Sequence, residues 1–184
     1  MKPYEQILNG SIHIERNFFE EDLYKKISKE ILKLKLVSGY QPASYYYGNR
    51  FQGYPCHECN WPKYKKIIVN KIEHLLNCKI KDVSIKVRRT DMNEIAKSKF
   101  NTTYGLVHSD PTDFGAILCF NQTSSGGTVF FEYHFDKYPD ISIGAFPNRM
   151  IIFRGTRNHT AQHDFTFKSI YKLIIFSIFM LYLC

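Results

Sequence analysis

A histidine and an aspartate stand two positions apart in the second half of this sequence, where a strand is predicted to end. In extended backbone, residues i and i+2 project to the same face, so His108 and Asp110 can reach one metal ion. The third ligand must come from elsewhere, and His159, 49 positions after Asp110, is the first candidate. Two histidines and one carboxylate leave adjacent coordination positions open, the arrangement used for non-haem iron(II) and oxygen chemistry.

Other potential metal ligands have less support from the sequence. His163 follows His159 by four positions and competes with it as the third ligand. His134 lies within an aromatic segment, where a histidine more often packs than binds a metal. Residues 56–59, Cys-His-Glu-Cys, could begin a zinc site, but a structural zinc site needs four ligands and no second pair exists.

Two helices are predicted to support such a site from the N-terminal half. One covers Phe19 to Leu36, with acidic residues at its start, where they oppose the helix dipole. The other runs from Pro62 to about Asn77, with proline at the first position. Their apolar positions recur at helical spacing: Leu23, Ile27, Ile31 and Leu34 in the first, and Tyr64, Ile68, Ile72 and Leu75 in the second.

Between these helices, the segment from Gly39 to Trp61 is rich in tyrosine, glycine and proline and shows neither helical nor strand periodicity. The sequence predicts a long loop there. Loops of this length are often binding segments, so its aromatic residues are candidates for a substrate groove or for stacking on a nucleobase. These residues are Tyr45, Tyr46, Tyr47, Tyr54 and Trp61.

From Asp82 onward, short strand-like runs alternate with breaks that carry glycine, proline, asparagine and aspartate. The predicted strands are Val83–Arg89, Leu106–His108, Phe114–Phe120, Thr128–Phe135, Ile141–Ala145, Met150–Phe153 and Tyr171–Leu183. This spacing is typical of a sandwich or jelly roll. We expect one domain over residues 1–184, with helical support and the aromatic loop in 1–81 and the β core in 82–184.

The order of several short motifs resembles the 2-oxoglutarate/Fe(II) oxygenase superfamily. The motifs are His108-Ser109-Asp110, residues 116–121 (AILCFN), 126–131 (GGTVFF), 147–153 (PNRMIIF), 159–161 (HTA) and 172–174 (KLI). They look closest to the prolyl-4-hydroxylase-like branch and its small bacterial and viral relatives, from about Val83 to the C-terminus. The resemblance implies an α+β, mainly β fold: a double-stranded β-helix, the cupin-like jelly roll, with N-terminal supporting helices.

The resemblance also implies the chemistry and the roles of individual residues. Iron(II) would be held by His108, Asp110 and His159, which the family pattern favours over His163. Lys172, 13 positions after His159, matches the basic residue that pairs with the distal carboxylate of 2-oxoglutarate, with Lys168 as the alternative. The co-substrates are 2-oxoglutarate and dioxygen, ascorbate is a candidate stimulant, and the activity is hydroxylation, with a peptidyl side chain such as proline as the first candidate substrate.

Three other functions stay open at this point. A double-stranded β-helix without a working metal site would be a binding or structural module. A metal-dependent hydrolase or isomerase of the jelly-roll type would use the same ligands without a keto acid. The net charge of +8 also admits an oxygenase directed at nucleic acid, although charge alone does not select a partner.

Composition and the termini predict a cytoplasmic protein without a membrane anchor. The first 14 residues lack the apolar core of a secretory signal. The apolar run Leu173 to Cys184 is shorter than the roughly 20 residues that a membrane-spanning helix needs, so a buried strand is expected. The five cysteines are irregularly spaced and are expected to be reduced.

Overall fold

Strands dominate the computed structural model, which describes residues 1–40, 45–46, 49–50, 55–97, 104, 107–120, 126–133, 136–163 and 169–181. The strands are β1 His13–Glu15, β2 Val37–Tyr40, β3 Tyr45–Tyr46, β4 Asn49–Arg50, β5 Pro55–Asn60, β6 Lys79–Asp91, β7 Phe114–Cys119, β8 Gly127–Phe130, β9 Ile141–Gly144, β10 Met150–Arg154, β11 His159–Gln162 and β12 Ser169–Leu181. The α-helices are α1 Pro3–Leu8, α2 Glu21–Ile31, α3 Lys65–Leu76 and α4 Met92–Ala96, and a 3-10 turn, Pro62–Tyr64, precedes α3.

Two antiparallel sheets form the core of the molecule. The large sheet has seven strands in the order β1-β10-β7-β12-β6-β5-β2, and the small sheet has the order β11-β8-β9. A separate two-stranded sheet joins β3 and β4. The long strands β6 and β12 pair along almost their whole length, from Ser169 opposite Asp91 to Leu181 opposite Lys79. This architecture confirms the predicted mainly β jelly roll with supporting helices.

Strand β7 shows how the large sheet separates two apolar cores, because all six of its residues are buried. Its even-numbered residues, such as Ala116 and Leu118, face a core shared with the helices. Ile117 and Cys119 face the small sheet and pack with its residues Phe130 and Ile143. Successive side chains on a strand point to opposite faces, so a strand buried on both sides reads as a continuous apolar run.

The helices cover the outer face of the large sheet. Ile27 and Ile31 of α2 and Ile68, Ile72 and Leu76 of α3 are fully buried there. The first helix is shorter than predicted at both ends. The second agrees with the prediction and ends at Leu76, because the left-handed backbone of Asn77 stops it. These helices act as packing supports behind the sheet that carries the site.

The predicted long loop is wrong in part, because β5 lies within it and pairs with β6. A polar residue of this strand, Glu58, lies on the same face of the sheet as the pocket, where it pairs with Arg88. The strand therefore shows no alternation of apolar and polar residues. Trp61 does not line a groove, since it is buried in the core beside Tyr64. Residues Tyr47 and Tyr54 lie outside the described residues, as does His134.

The C-terminal run forms strand β12 up to Leu181, as predicted. Within the described residues, no helix is both long enough and apolar enough to cross a membrane. Cys59, Cys78 and Cys119 are free thiols. The second, fourth and seventh predicted strands each extend into residues outside the described ranges.

Asn148 joins the N-terminal segment to the turn before β10. Its side chain accepts a hydrogen bond from Phe19 N at 2.8 Å and donates one to Phe19 O at 2.7 Å. Its backbone is left-handed, with φ of 58°. Asn148→Ala should lower the free energy of unfolding by about 3 kcal/mol, because two buried groups lose their partners and alanine disfavours this backbone. Urea unfolding measures the change.

Asn148→Gly is the matched control for the backbone contribution. Glycine accepts the left-handed conformation, so this variant should be about 1 kcal/mol more stable than Asn148→Ala. Equal stability of the two variants would show that only the side-chain hydrogen bonds matter. A loss of unfolding free energy below about 0.5 kcal/mol in both variants would contradict a stabilising role for the hydrogen bonds between Asn148 and Phe19.

Candidate metal centre and anion pocket

The backbone brings the two predicted histidine ligands side by side. His108 N donates to His159 O at 3.0 Å, and His159 N donates to His108 O at 2.8 Å. This isolated antiparallel bridge lies at the start of β11. Asp110 N donates to Gly155 O at 2.8 Å, which ties the aspartate to the turn between β10 and β11. Two segments that are distant in sequence thus meet through three backbone hydrogen bonds.

The side chains of His108, Asp110 and His159 converge. One ligand atom from each lies within 4.8 Å of the other two, and no other such group of three exists among the described residues. Ligand atoms that each sit about 2.1 Å from one ion are about 3 to 4 Å apart, so the three atoms need to close by about an ångström. His163, the competing third ligand, is buried at the end of β11 and does not belong to this group.

The orientation of His159 leaves its Nε2 lone pair facing the other ligands. Nδ1 lies 2.8 Å from Arg157 O, and a carbonyl only accepts, so Nδ1 carries the proton. The ring packs against Phe153 and His108, with centroids at 4.6 and 4.4 Å. Burial lowers the pKa of His159 to about 3, so the imidazole is neutral at pH 7. A neutral imidazole oriented by a carbonyl is the usual state of a metal-binding histidine.

Asp110 supplies the charge that fits a cation. Its Oδ2 is buried, has no hydrogen-bond partner in the described parts of the chain, and lies 3.5 Å from His159 Nε2. Burial raises the pKa of Asp110, because a carboxylate removed from water is less stable in its charged form, while His108 and Arg88 oppose that shift. Two lone-pair atoms that face each other at this distance need a cation or a proton between them. The residues therefore fit a divalent metal ion with nitrogen and oxygen ligands.

A pocket of about 540 Å³, measured with its open mouth, extends from these three residues between the sheets. One wall carries apolar groups, including Ile117, Phe153 and Ile174, and the opposite wall is formed by the small sheet. The remaining lining residues are Arg88, Thr90, Gly115, Ala116, Thr128, Thr160, Ala161 and Lys172. The three converging side chains, the apolar walls and the cations therefore share one cavity.

Lys172 lies in this pocket, on the central strand β12. Its Nζ donates to Gly127 O at 3.3 Å, across the space between the two sheets. No carboxylate of the described residues forms an ion pair with it. Burial lowers the pKa of Lys172, since its ammonium has left water. A buried cation in such surroundings is stabilised by an anionic ligand. Lys168, the alternative residue for the distal carboxylate of 2-oxoglutarate, lies outside the described residues.

Two pocket residues were missed by sequence reasoning. Thr128 is buried, and its Oγ1 has no hydrogen-bond partner within the described residues, so it can bind a ligand atom. Arg88 lines the pocket because the residues of β6 alternate between inward and outward positions. The glycine pair before Thr128 was the available signal for the first, and the strand period was the signal for the second.

Gly127 and Gly155 both allow a close backbone approach. A Cβ on Gly127 would collide with the carbonyl oxygen of Ile143, and a Cβ on Gly155 would collide with Thr112. At Gly127 the backbone is extended rather than left-handed, so close contact with β9, and not a tight turn, requires this glycine. At Gly155 the contact holds the loop of Asp110 against the turn that leads to His159.

Gly155→Ala should weaken metal binding by about 10-fold or more, because the added methyl group pushes the Asp110 loop away from His159. It should also destabilise the protein by about 1 to 3 kcal/mol, as overpacking does. Metal titration and thermal unfolding test both effects. Gly144→Ala is the matched control, since its Cβ would meet only the ring of Phe146, which is exposed and can move. Equal effects of the two substitutions would contradict a specific role for Gly155.

Two arginines connect this turn to the N-terminal segment. Arg154 Nη1 donates to Leu8 O at 3.1 Å, and Arg157 Nη1 donates to Gly10 O. Arg157 also supplies the carbonyl that holds the ring of His159. The end of α1 is thus linked to His159 through one residue.

No protein family matches the chain by sequence, and no curated protein sequence matches it. Solved structures do match. A prolyl-4-hydroxylase from Pseudomonas putida aligns with a TM-score of 0.63 and 9% identity over 96% of each chain. A prolyl hydroxylase from Trichoplax adhaerens, solved with a hypoxia-inducible factor peptide, gives 0.65 and 12% over 96% of this chain and 87% of its own. HygX from Streptomyces hygroscopicus, solved with nickel, 2-oxoglutarate and hygromycin B, gives 0.61 and 7% over 94% and 84%.

These similarities cover almost the whole chain, with both sheets and the supporting helices included. At such low identity they establish the architecture rather than the activity. The chain has the double-stranded β-helix fold of the 2-oxoglutarate/Fe(II) oxygenases.

Proposed function

We propose that the protein is an iron(II)- and 2-oxoglutarate-dependent dioxygenase that hydroxylates its substrate. His108, Asp110 and His159 hold the metal, and Lys172 binds the distal carboxylate of 2-oxoglutarate. The observation that carries the proposal is the presence of the three converging ligands and a buried cation without a carboxylate partner among the described residues in one pocket. The similarity to oxygenases of this fold supports the same reading.

The triad suits iron(II) because two imidazoles and one carboxylate leave positions open for a keto acid and dioxygen. With both bound, iron would supply the oxidant that inserts one oxygen atom into a substrate C–H bond, while 2-oxoglutarate takes up the other and becomes succinate and carbon dioxide. The role of the protein in this chemistry is to position the co-substrate and to keep water out of the site.

Different residues of the pocket bind the co-substrate and exclude water. Lys172 Nζ reaches the carbonyl oxygen of Gly127, the residue before Thr128, and both side chains line the pocket. Lys172 and Thr128 can therefore both donate to one carboxylate. Ile117, Ile174 and Phe153 line the space and keep water from it. Lysine lacks the two-pronged geometry of arginine, so a hydroxyl beside it supplies a second donor.

The substrate class that we propose is a peptidyl side chain, with proline first. The support is the similarity to two prolyl hydroxylases, one of them solved with a peptide. HygX, solved with hygromycin B, shows that this fold also accommodates small molecules. Turnover assays should therefore begin with proline-containing peptides and measure succinate release above the uncoupled rate.

Anaerobic iron(II) titration, with and without 2-oxoglutarate, tests the proposal. We expect a visible metal-to-ligand charge-transfer band that requires both additions. Oxygen uptake with stoichiometric succinate should then follow on admission of air, which separates an oxygenase from a hydrolase or isomerase with the same ligands. A folded protein that binds iron but gives no band with 2-oxoglutarate would contradict the proposed activity and favour a binding module.

A further inference from the structure

A row of charged side chains crosses the large sheet beside the pocket. Glu58 on β5 is the register partner of Arg88 on β6, and Arg88 is the register partner of Lys172 on β12. Directly paired residues of neighbouring strands point to the same face of a sheet. The three side chains therefore lie side by side on the face that carries the pocket.

The two cations of this row are more buried than the carboxylate. The side chain of Glu58 is 25% exposed and that of Arg88 is 8% exposed, while Lys172 is a buried residue. Both cations line the cavity, and Glu58 does not. The carboxylate thus lies on the outer side of Arg88, away from Lys172.

The contacts of Glu58 leave the row with an excess of positive charge. Its Oε2 accepts from Arg88 Nε at 3.2 Å and from Arg88 Nη2 at 2.9 Å, and its Oε1 accepts from Lys86 Nζ at 2.9 Å. One carboxylate therefore serves two cations, and its pKa is lowered by both. Lys172 is a third cation, and its pKa is lowered in part by repulsion from Arg88.

Two neighbouring buried cations are unfavourable unless an anion separates them. The space between Arg88 and Lys172 belongs to the pocket, so a ligand can enter it. The guanidinium would then have two competing carboxylates, that of Glu58 on one side and that of the ligand on the other. Planar guanidinium groups bind carboxylates better than ammonium groups do.

We propose that Arg88 is a second anchor for the distal carboxylate of 2-oxoglutarate, and that Glu58 competes with this carboxylate for Arg88. The inference rests on the proposed function and deepens it. It assigns selectivity for a dicarboxylic keto acid to a pair of cations on neighbouring strands, and it makes Glu58 the residue that limits the affinity.

Binding of two keto acids to the anaerobic, iron(II)-loaded protein tests this assignment. 2-Oxoglutarate carries the distal carboxylate, and 2-oxopentanoate has a methyl group in its place. The measured quantity is the ratio of their dissociation constants, read from the charge-transfer band. Arg88→Met should reduce the preference for 2-oxoglutarate by about 10-fold, the size of one charge-assisted hydrogen bond. Glu58→Gln should increase it several-fold.

Two further variants make the experiment decisive. Lys86→Met removes the other cation on Glu58 without touching the pocket, and it should leave the ratio within about 2-fold of the native value. Arg88→Lys keeps the charge if Arg88→Met does not fold, and it should give an intermediate ratio. Thermal unfolding of each metal-free variant reports on folding independently.

The outcomes separate this inference from the proposed function. An unchanged ratio in Arg88→Met and Glu58→Gln would show that Arg88 only pairs with Glu58, and would overturn the inference while the wild type still binds 2-oxoglutarate. Equal weakening of both keto acids in Arg88→Met would also overturn it, because Arg88 would then act at the metal end. Failure of the wild type to bind 2-oxoglutarate would instead contradict the proposed function.

Discussion

Asp110→Ala is expected to lower the affinity for iron(II) by about 100-fold or more and to abolish the charge-transfer band with 2-oxoglutarate. Loss of groups that only orient a ligand costs about 10- to 100-fold in metal affinity, so loss of a ligand itself should cost at least as much. The Asp110 carboxylate, whose buried Oδ2 has no hydrogen-bond partner within the described residues, is also the only acidic group of the triad. Anaerobic titration followed by the visible spectrum measures the effect.

Asp113→Ala is the control for Asp110→Ala, because it removes a carboxylate from the same loop but outside the triad. Its backbone oxygen, which accepts from Gly155 N, is retained. The metal-free Asp110→Ala protein should be no less stable than the wild type, since burial raises the pKa of this carboxyl and makes its charged form costly. Native iron affinity in Asp110→Ala would contradict the assigned metal centre.

Lys172→Met should weaken 2-oxoglutarate binding by about 10- to 100-fold while iron binding persists, because the ligand's distal carboxylate loses a charged donor. The same substitution should stabilise the ligand-free protein by about 2 kcal/mol, since a buried cation is replaced by an apolar side chain of similar size. Calorimetric titration and urea unfolding check the two effects. Lys168→Met, which alters the alternative lysine, should change neither.

The pH dependence of stability offers a second readout for Lys172. Burial lowers its pKa below the ordinary value of 10.5. Between the lowered and the ordinary value, the unfolded chain binds one more proton than the folded chain, so the free energy of unfolding rises with pH. Lys172→Met should remove this part of the rise. Parallel pH profiles for the two proteins would show that the ammonium is not buried.

Much of the fold was predictable because the apolar residues of its central strands recur at the regular spacing of a strand. β6, β7 and β10 are apolar on one or both faces, and their approximate positions follow from that pattern alone. β5 and β11 were missed because they carry polar or functional residues at inward positions: Glu58 in one and His159 in the other. A strand that contributes polar side chains to a site lacks the alternation of apolar and polar residues by which strands are recognised in a sequence.

The site was partly predictable for the same reason. His108 and Asp110 stand out because they lie two positions apart at a strand end, and the structure brings both to His159. The strand period of β6 indicates only that Arg88 points inward, whereas its place beside Lys172, 84 positions later, depends on the register of the two strands. Register across a large sheet is set by the packing of whole strands, and no local pattern encodes it.

The connection from α1 to His159 has a consequence for exchange of backbone hydrogens with solvent. Arg157 holds the His159 ring by its carbonyl and the N-terminal segment by its guanidinium, at Gly10. The ordering of His159 and the ordering of the N-terminal segment both depend on Arg157, so the two are reciprocally coupled. A ligand that orders His159 should therefore also order the end of α1. Iron(II) should therefore slow deuterium uptake around Ile7 to Gly10, far along the sequence from every ligand.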